Sequence, residues 1–222
     1  MTTLSTDLWD SGATKVYDEI LRHPFITGLT DGTLDHDAFR YFIVQDSHYL
    51  RAYSRALALV AARAVDEDSV SMFARHAADA IAVERELHTE LLGSLGLTSS
   101  EVDAAGSGPI TTAYTSYLTA VCATGTYAEA VAAVLPCYWI YREVGRELLQ
   151  RSSPDPVYRK WIETYGSEEF DTVVESVLAV TDRLGTELGP AERDRCHRHF
   201  ATTTRYEWMF WDAAYRKLDW PV

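Results

Sequence analysis

The 222-residue sequence contains only three cysteines, Cys122, Cys137 and Cys196, and none of them forms a CxxC pair. An odd number of widely spaced cysteines indicates neither a disulfide framework nor a cysteine-based zinc site. It is typical of a reducing compartment. The first ten residues lack the basic start and the apolar run of a signal peptide. We therefore expect a cytoplasmic protein.

Long apolar runs and clustered basic residues are also absent. The longest strongly apolar stretch, near residues 128–140, is too short to span a bilayer and ends in a Tyr-Arg-Glu sequence. Acidic residues number 33 against 20 basic ones, which gives a formal charge of −13. Nucleic acid and anionic membranes both require basic clusters, and no helix-turn-helix signature is present. We predict neither a nucleic-acid nor a membrane partner.

Strand-like alternation is nearly absent, and a helical period of apolar residues runs through the chain. With 47% hydrophobic residues and no repeat or flexible linker, the sequence predicts one all-α domain over residues 1–222, a bundle of about seven helices. The first helix should follow Ser5 or Thr6, stop before Pro24 and bury its apolar face: Leu8, Trp9, Val16, Tyr17 and Ile20. The other helices are predicted at about 35–64, 66–92, 110–124, 126–150, 156–185 with a break near 166, and 190–217, with a turn at 30–33 and a loop at 98–109.

Cys137 follows a proline inside an otherwise strong helical pattern. Pro136 removes a backbone hydrogen bond and crowds the preceding turn, so a kink is predicted there. Such a kink can tilt the neighbouring thiol into a cavity, and Tyr141 lies one turn further on the same face. The alternative is a buried cysteine in a bent helix, the role also expected of Cys122 and Cys196.

Two carboxylates stand in apolar surroundings. Asp46 shares a helix face with Tyr49 and Tyr53, where a carboxylate needs a hydrogen bond or a ligand. Its alternative role is pairing with an arginine or a tyrosine hydroxyl. Glu207 is embedded among aromatic residues, a setting that raises a carboxyl pKa and suits proton transfer. It is equally suited to an ion pair with Arg205 or another arginine.

Seven segments resemble, in order along almost the whole chain, the TenA family, also called thiaminase II or aminopyrimidine aminohydrolase. They are residues 23–25 (HPF), 31–34 (DGTL), 45–50 (QDSHYL), 113–117 (AYTSY), 135–139 (LPCYW), 161–170 (WIETYGSEEF) and 205–211 (RYEWMFW). The resemblance implies a haem-oxygenase-like helical bundle without haem, a homotetramer, no cofactor and no metal. It also implies an interior pocket for a 4-amino-2-methylpyrimidine ring.

The resemblance implies a role for each candidate site residue. Cys137 matches the nucleophile of the cysteine-containing branch and Glu207 the proton-transferring glutamate. The other matches bind the substrate: Asp46 holds the polar edge of the pyrimidine, Tyr114 stacks on the ring, and Tyr49, Tyr141 and Tyr165 complete the hydrogen bonds. The implied reaction is the hydrolysis of 4-amino-5-aminomethyl-2-methylpyrimidine, or of thiamin, to 4-amino-5-hydroxymethyl-2-methylpyrimidine.

Two other functions are weighed against this one. Dimetal oxygenases of the same fold use Glu and His at helical spacing, as Glu84 and His88 are spaced. However, residues 171–179 contain no histidine, and His197 and His199 should point to different helix faces. The second alternative is a non-catalytic pyrimidine-binding or regulatory protein. The sequence also predicts that Cys137 rests as a neutral thiol, because nearby carboxylates raise a thiol pKa.

Overall fold

The computed structural model describes residues 2–222, except for the side chains of residues 83–92 within a helix. Glu84 and His88 therefore lie outside the described side chains. The described chain is all-helical and contains no strand, which confirms the predicted fold class. The helices are α1 Leu4–Leu8, α2 Thr14–Leu21, α3 Pro24–Asp31, α4 His36–Arg63, α5 Glu67–Ser94, α6 Ser99–Ala105, α7 Pro109–Thr124, α8 Tyr127–Arg151, α9 Pro156–Tyr165, α10 Glu168–Gly185 and α11 Pro190–Arg216.

Helix α8 lies at the centre of the bundle. Residues 127–136 are buried on every side, as expected of a helix that is apolar all round. It packs against α4, α7, α9, α10 and α11, and it continues through Pro136 without ending. One cluster of buried apolar side chains extends from Leu4 to Ala214. The organisation of residues 1–222 as one domain stays a prediction. Within the described chain, no helix combines the length and hydropathy that a membrane span requires.

Helices α4, α8 and α10 begin at side-chain caps, and the sequence signals several of these caps directly. Asp35 caps α4 by accepting the Asp37 backbone N–H at 3.1 Å, as predicted. Thr126 and Glu129 form a capping box at the start of α8. The predicted break near residue 166 is also present, between α9 and α10.

The sequence pattern does not predict helix α3, because Pro24 marks the end of the first helix in that pattern. The structure places Pro24 in the first turn of α3, where the missing N–H costs nothing. His23 caps this helix by accepting the Phe25 backbone N–H at 3.1 Å. Gly32 then ends it in the left-handed conformation, with φ of 69°.

The predicted loop at 98–109 is wrong in its first half, which forms α6. Thr98 and Glu101 form a reciprocal capping box, and Val102 is buried beneath the helix. The abundance of Ser and Gly concealed this short helix, whose stability comes from the cap and the single buried anchor. Gly106, with φ of 70°, begins the segment that leads into α7.

The first predicted helix is interrupted by a π-helical turn, Trp9–Ala13, between α1 and α2. Leu8, Ala13 and Ile20 are fully buried, whereas Trp9, Val16 and Tyr17 are only partly buried. Gly12 lies within this turn, and a Cβ there would stand 3.0 Å from the Phe200 ring. The wide turn therefore lies in close contact with α11.

Candidate active site

Cys137 lies near the middle of α8 and keeps part of its surface accessible, whereas Pro136 and Tyr138 beside it are buried. Side chains from α4, α7 and α11 converge on it. The charges of Glu207 and Asp46 both act on the thiol, and the hydroxyls of Tyr49 and Tyr53 lie within its reach. The two groups singled out on α8 and α11, the thiol and the Glu207 carboxyl, therefore share one environment.

Glu207 is buried among aromatic rings and accepts a hydrogen bond from the Tyr114 hydroxyl at 2.5 Å, through Oε1. Burial raises the pKa of Glu207 to about 8, the Tyr114 hydrogen bond opposes this rise, and the charge of Asp46 adds to it. The carboxyl is therefore largely protonated at neutral pH. Arg205 is exposed, and no ion pair to Glu207 occurs among the described residues. The structure therefore does not show the alternative role of Glu207, an ion pair with Arg205 or another arginine.

Ionisation of the Cys137 thiol is strongly disfavoured. Burial raises the pKa of Cys137, the negative charges of Glu207 and Asp46 raise it further, and only the Tyr49 and Tyr53 hydroxyls act in the opposite direction. A carboxyl that holds its proton and a thiol that holds its proton are suited to concerted transfer in which one group donates and the other attacks.

The sulfur should alkylate slowly at neutral pH and faster as the pH rises, without a plateau below pH 9. Because the pKa of Cys137 is raised, the thiolate fraction stays small throughout this range. Iodoacetamide labelling, followed by mass spectrometry of the peptide that contains Cys137, measures the rate. Half-maximal labelling below about pH 6.5, well under the ordinary cysteine pKa near 8.5, would contradict the prediction.

Four tyrosines form one wall of the site. The Tyr49 ring lies 5.0 Å from Tyr114 and 5.4 Å from Tyr53, and it stacks on the latter. Tyr114 stacks almost parallel on Tyr206, at 5.0 Å and 11°. The Tyr49 hydroxyl is buried and makes no hydrogen bond of good geometry to another described side chain. This wall offers flat aromatic surface together with free hydrogen-bonding capacity.

The predicted tyrosines of α8 and α9 lie together on another side of the site. The rings of Tyr141 and Tyr165 are 4.9 Å apart, and Tyr141 also packs against Trp211 at 5.2 Å. Burial and the charges of Glu207 and Asp46 raise the pKa of Tyr141, and the same two carboxylates and Cys137 act on Tyr165. All seven candidate residues thus fall in one region.

Tyr53, Tyr206 and Phe210 contribute to this region but were not predicted as site residues. Tyr53 donates its hydroxyl hydrogen to the Val134 carbonyl at 2.9 Å and lies beside the thiol. Its four-residue spacing from Tyr49 was the available signal. Phe210 packs against Tyr49 at 5.6 Å. Neither Phe210 nor Tyr206 carries a sequence feature that separates it from an ordinary core residue.

In the described part of the chain, no group of three or more His, Cys, Asp or Glu side chains is placed to hold a metal ion. His197 and His199 point in different directions, as predicted: the first contacts Ser11 at 2.9 Å and the second contacts Tyr117 at 2.8 Å. The Glu84–His88 pair remains outside the described side chains.

The fold and the site define a class: helical bundles of the haem-oxygenase type whose interior holds a polar, tyrosine-walled site. A domain of unknown function with a heme oxygenase-like fold from Shewanella denitrificans OS217 superimposes with a TM-score of 0.72 at 17% identity, over 91% of this chain and 88% of that one. The TENA/THI-4/PQQC family matches residues 11–217, and the chain belongs to this family. The predicted fold and family are confirmed.

Two further similarities bear on function. Over 210 residues the chain is 36% identical to the aminopyrimidine aminohydrolase of Bacillus subtilis (strain 168), an overlap of 95% of this chain and 89% of the relative. The structure of a TenA homologue protein from P. horikoshii OT3 superimposes with a TM-score of 0.88 at 28% identity, over 97% of this chain and 99% of that one.

Proposed function

We propose that this chain is an aminopyrimidine aminohydrolase of thiamin metabolism. It would convert 4-amino-5-aminomethyl-2-methylpyrimidine into 4-amino-5-hydroxymethyl-2-methylpyrimidine and ammonia, with thiamin as a second candidate substrate. The observation that carries the proposal is the buried Glu207 carboxyl, which stays protonated beside the Cys137 thiol. The resemblance to a relative of that name over most of both chains supports it.

Cys137 is the proposed nucleophile. An aromatic ring does not readily lose a leaving group from the carbon attached to it, so the sulfur first adds to a ring carbon and the aromaticity is broken. The electron pair displaced by this addition must reach a ring nitrogen, where Glu207 supplies a proton. The leaving group then departs from the side-chain carbon, water adds there, and expulsion of the sulfur restores the ring.

Asp46 and the tyrosines are proposed to orient the ring for this attack. A carboxylate at Asp46 can accept hydrogen bonds from the 4-amino edge of the pyrimidine. Tyr114 offers its ring for stacking, while Tyr49, Tyr141 and Tyr165 supply hydroxyls around the rim. Because Tyr114 also donates to Glu207, it couples the position of the ring to that of the acid.

The test is ammonia release by the wild-type protein and by Cys137→Ser. We expect the serine variant to lose at least about a thousandfold in turnover, because an alcohol is a much weaker nucleophile here. Cys122→Ala, which alters a cysteine buried away from the carboxylates, should retain activity. A panel of the aminomethyl pyrimidine, its N-formyl derivative and thiamin identifies the preferred substrate.

A binding or regulatory role would be shown by a different result. If the wild type binds the aminopyrimidine tightly but releases no ammonia, the chain is a pyrimidine-binding protein and not a hydrolase. Turnover that survives Cys137→Ser would remove the sulfur from the mechanism. We also propose, from the family resemblance, a cytoplasmic homotetramer; light scattering of the purified protein tests the assembly.

A further inference from the structure

The proposed reaction leaves one proton without a destination. When the Cys137 sulfur bonds to the ring, its hydrogen must leave as H⁺. Glu207 gives its own proton to the ring nitrogen at that moment, and its Oε1 already accepts the Tyr114 hydrogen bond, which makes this carboxyl a poor acceptor for a second proton. Asp46 is assigned to the amino edge of the substrate. The thiol therefore needs a separate proton acceptor.

A line of polar side chains leads from the thiol to the edge of the protein. Tyr53, within reach of Cys137, is buried on α4, and its ring lies 5.8 Å from that of Tyr138 on α8. The Tyr138 hydroxyl lies 3.1 Å from Nδ1 of His76 on α5. Tyr53 and Tyr138 are buried, whereas His76 is partly exposed and can exchange protons with water.

Each member of this line can pass a proton to the next. The Tyr53 oxygen has lone pairs that can accept from the thiol, and its hydrogen, which it donates to the Val134 carbonyl, can rotate towards Tyr138. The Tyr138 hydroxyl can in turn donate to Nδ1 of His76. The Tyr53 hydroxyl acts on the pKa of both Cys137 and Tyr138, which places it between these two groups, while at rest it donates to the Val134 carbonyl.

We propose that Tyr53, Tyr138 and His76 form a proton path that takes the Cys137 hydrogen to His76 as the sulfur bonds to the ring. This proposal rests on the proposed function of Cys137. As the S–C bond forms, the S–H proton moves to the Tyr53 oxygen, the Tyr53 proton moves to Tyr138, and the Tyr138 proton moves to His76. The imidazolium returns the proton along the same path when the sulfur is expelled.

His76 is in the right state to accept at neutral pH. Burial lowers the pKa of His76 below its ordinary value of 6.5, the nearby Asp79 raises it, and Arg75 lowers it. These two charges on α5 and the Tyr138 hydroxyl on α8 are the titratable and charged groups that face the ring in the described structure. Turnover should therefore decrease at pH values below the pKa of His76, because the imidazole already carries a proton there.

The first test compares Tyr138→Phe with Tyr127→Phe. Both remove one hydroxyl from α8 beside α5, but Tyr127 packs on Phe73 and has no link to the thiol. We expect Tyr138→Phe to lower turnover about a hundredfold, at the lower end of the range ascribed to general acid–base catalysis, and Tyr127→Phe to leave it unchanged. His76→Ala should show the same loss, lose the acidic decline in its pH profile and recover activity when imidazole is added.

A second measurement does not require turnover. The infrared S–H band of Cys137, identified by its loss in Cys137→Ser, reports exchange of the thiol hydrogen with D₂O. With the product pyrimidine bound to keep water from the thiol, exchange should be at least about tenfold slower in Tyr138→Phe and His76→Ala than in Tyr127→Phe. Equal exchange rates in all these variants would overturn the path and leave the proposed function intact, whereas turnover that survives Cys137→Ser would overturn the proposed function and, with it, the role of the path.

Discussion

Replacing Glu207 by glutamine is expected to lower turnover about a thousandfold and, at alkaline pH, to raise the free energy of unfolding. The amide cannot give a proton to the substrate ring, although its oxygen can still accept the Tyr114 hydrogen bond. Wild-type turnover should decline above about pH 8, where the carboxyl loses its proton, and the residual activity of Glu207→Gln should not show this decline. Steady-state kinetics between pH 6 and pH 10 measure both effects.

The stability effect follows from the raised pKa of Glu207. In the unfolded chain the carboxyl ionises near 4.5, whereas in the folded protein it ionises near 8. Between these two pH values the folded protein holds a proton on Glu207 that the unfolded chain has lost. The contribution of Glu207 to the free energy of unfolding therefore decreases as the pH rises from about 4.5 to about 8. Each pKa unit corresponds to about 1.4 kcal/mol, so the ionised Glu207 carboxyl lowers the free energy of unfolding by at most roughly 5 kcal/mol. Glu207→Gln removes this destabilisation.

Glu129→Gln is a matched control with the opposite expected sign. Glu129 is also buried, but it pairs with Arg195, and its pKa is lowered although burial alone would raise it. Its contribution to stability is present at neutral pH and is lost as the pH falls through the lowered pKa. Denaturant unfolding at pH 6 and pH 9 compares the two variants. A destabilised Glu207→Gln at pH 9 would refute the assigned protonation of Glu207.

Replacing Gly145 by alanine is expected to destabilise the protein by about 3 kcal/mol and to impair the site. A Cβ on Gly145 would lie 2.5 Å from both the carbonyl carbon and the carbonyl oxygen of Tyr165. These are backbone atoms and cannot move aside like a flexible side chain, so α8 and the end of α9 must separate. Thermal unfolding should shift down by roughly 10 °C for a protein of this size.

Gly93→Ala provides the comparison for Gly145→Ala. Gly93 lies in the last turn of α5, and a Cβ there meets no atom of the described residues within 4 Å. Alanine favours the helix over glycine by about 1 kcal/mol, so this variant should be slightly stabilised. Gly145→Ala should also raise KM, since Tyr165 is a proposed substrate contact. Equal melting temperatures for the two variants would show that α8 and α9 can separate without cost.

The sequence was sufficient for the fold class and for the long helices, because their apolar period and caps are local signals. It was insufficient where one residue type serves two purposes. Pro24 can stop a helix or begin one, and only the cap from His23 decides between them. The abundance of Ser and Gly at 98–109 predicts a loop and outweighs the Thr98–Glu101 capping box, which starts a helix there.

The site depended on information that lies far apart along the chain. Cys137 and Glu207 were singled out by their local context, but nothing local states that α8 and α11 bring them together. The family resemblance supplied that connection. The 2.5 Å bond from Tyr114 to Glu207 depends on the packing of α7 against α11. The roles of Tyr53 and Tyr138 depend on the packing of α4 against α8 and on the contact of His76 of α5 with Tyr138. These contacts join helices that are far apart in the sequence, and the spacing of residues within one helix does not predict them.

The π-helical turn at Trp9–Ala13 sets the phase of the amino-terminal segment. In a regular helix Leu8 and Ile20, twelve positions apart, would point about 120° away from each other. The wide turn absorbs one residue, which reduces the difference to about 20° and lets both side chains enter the same core. An alignment or a redesign that treats residues 4–21 as one ideal helix would assign one half of the segment to the wrong face.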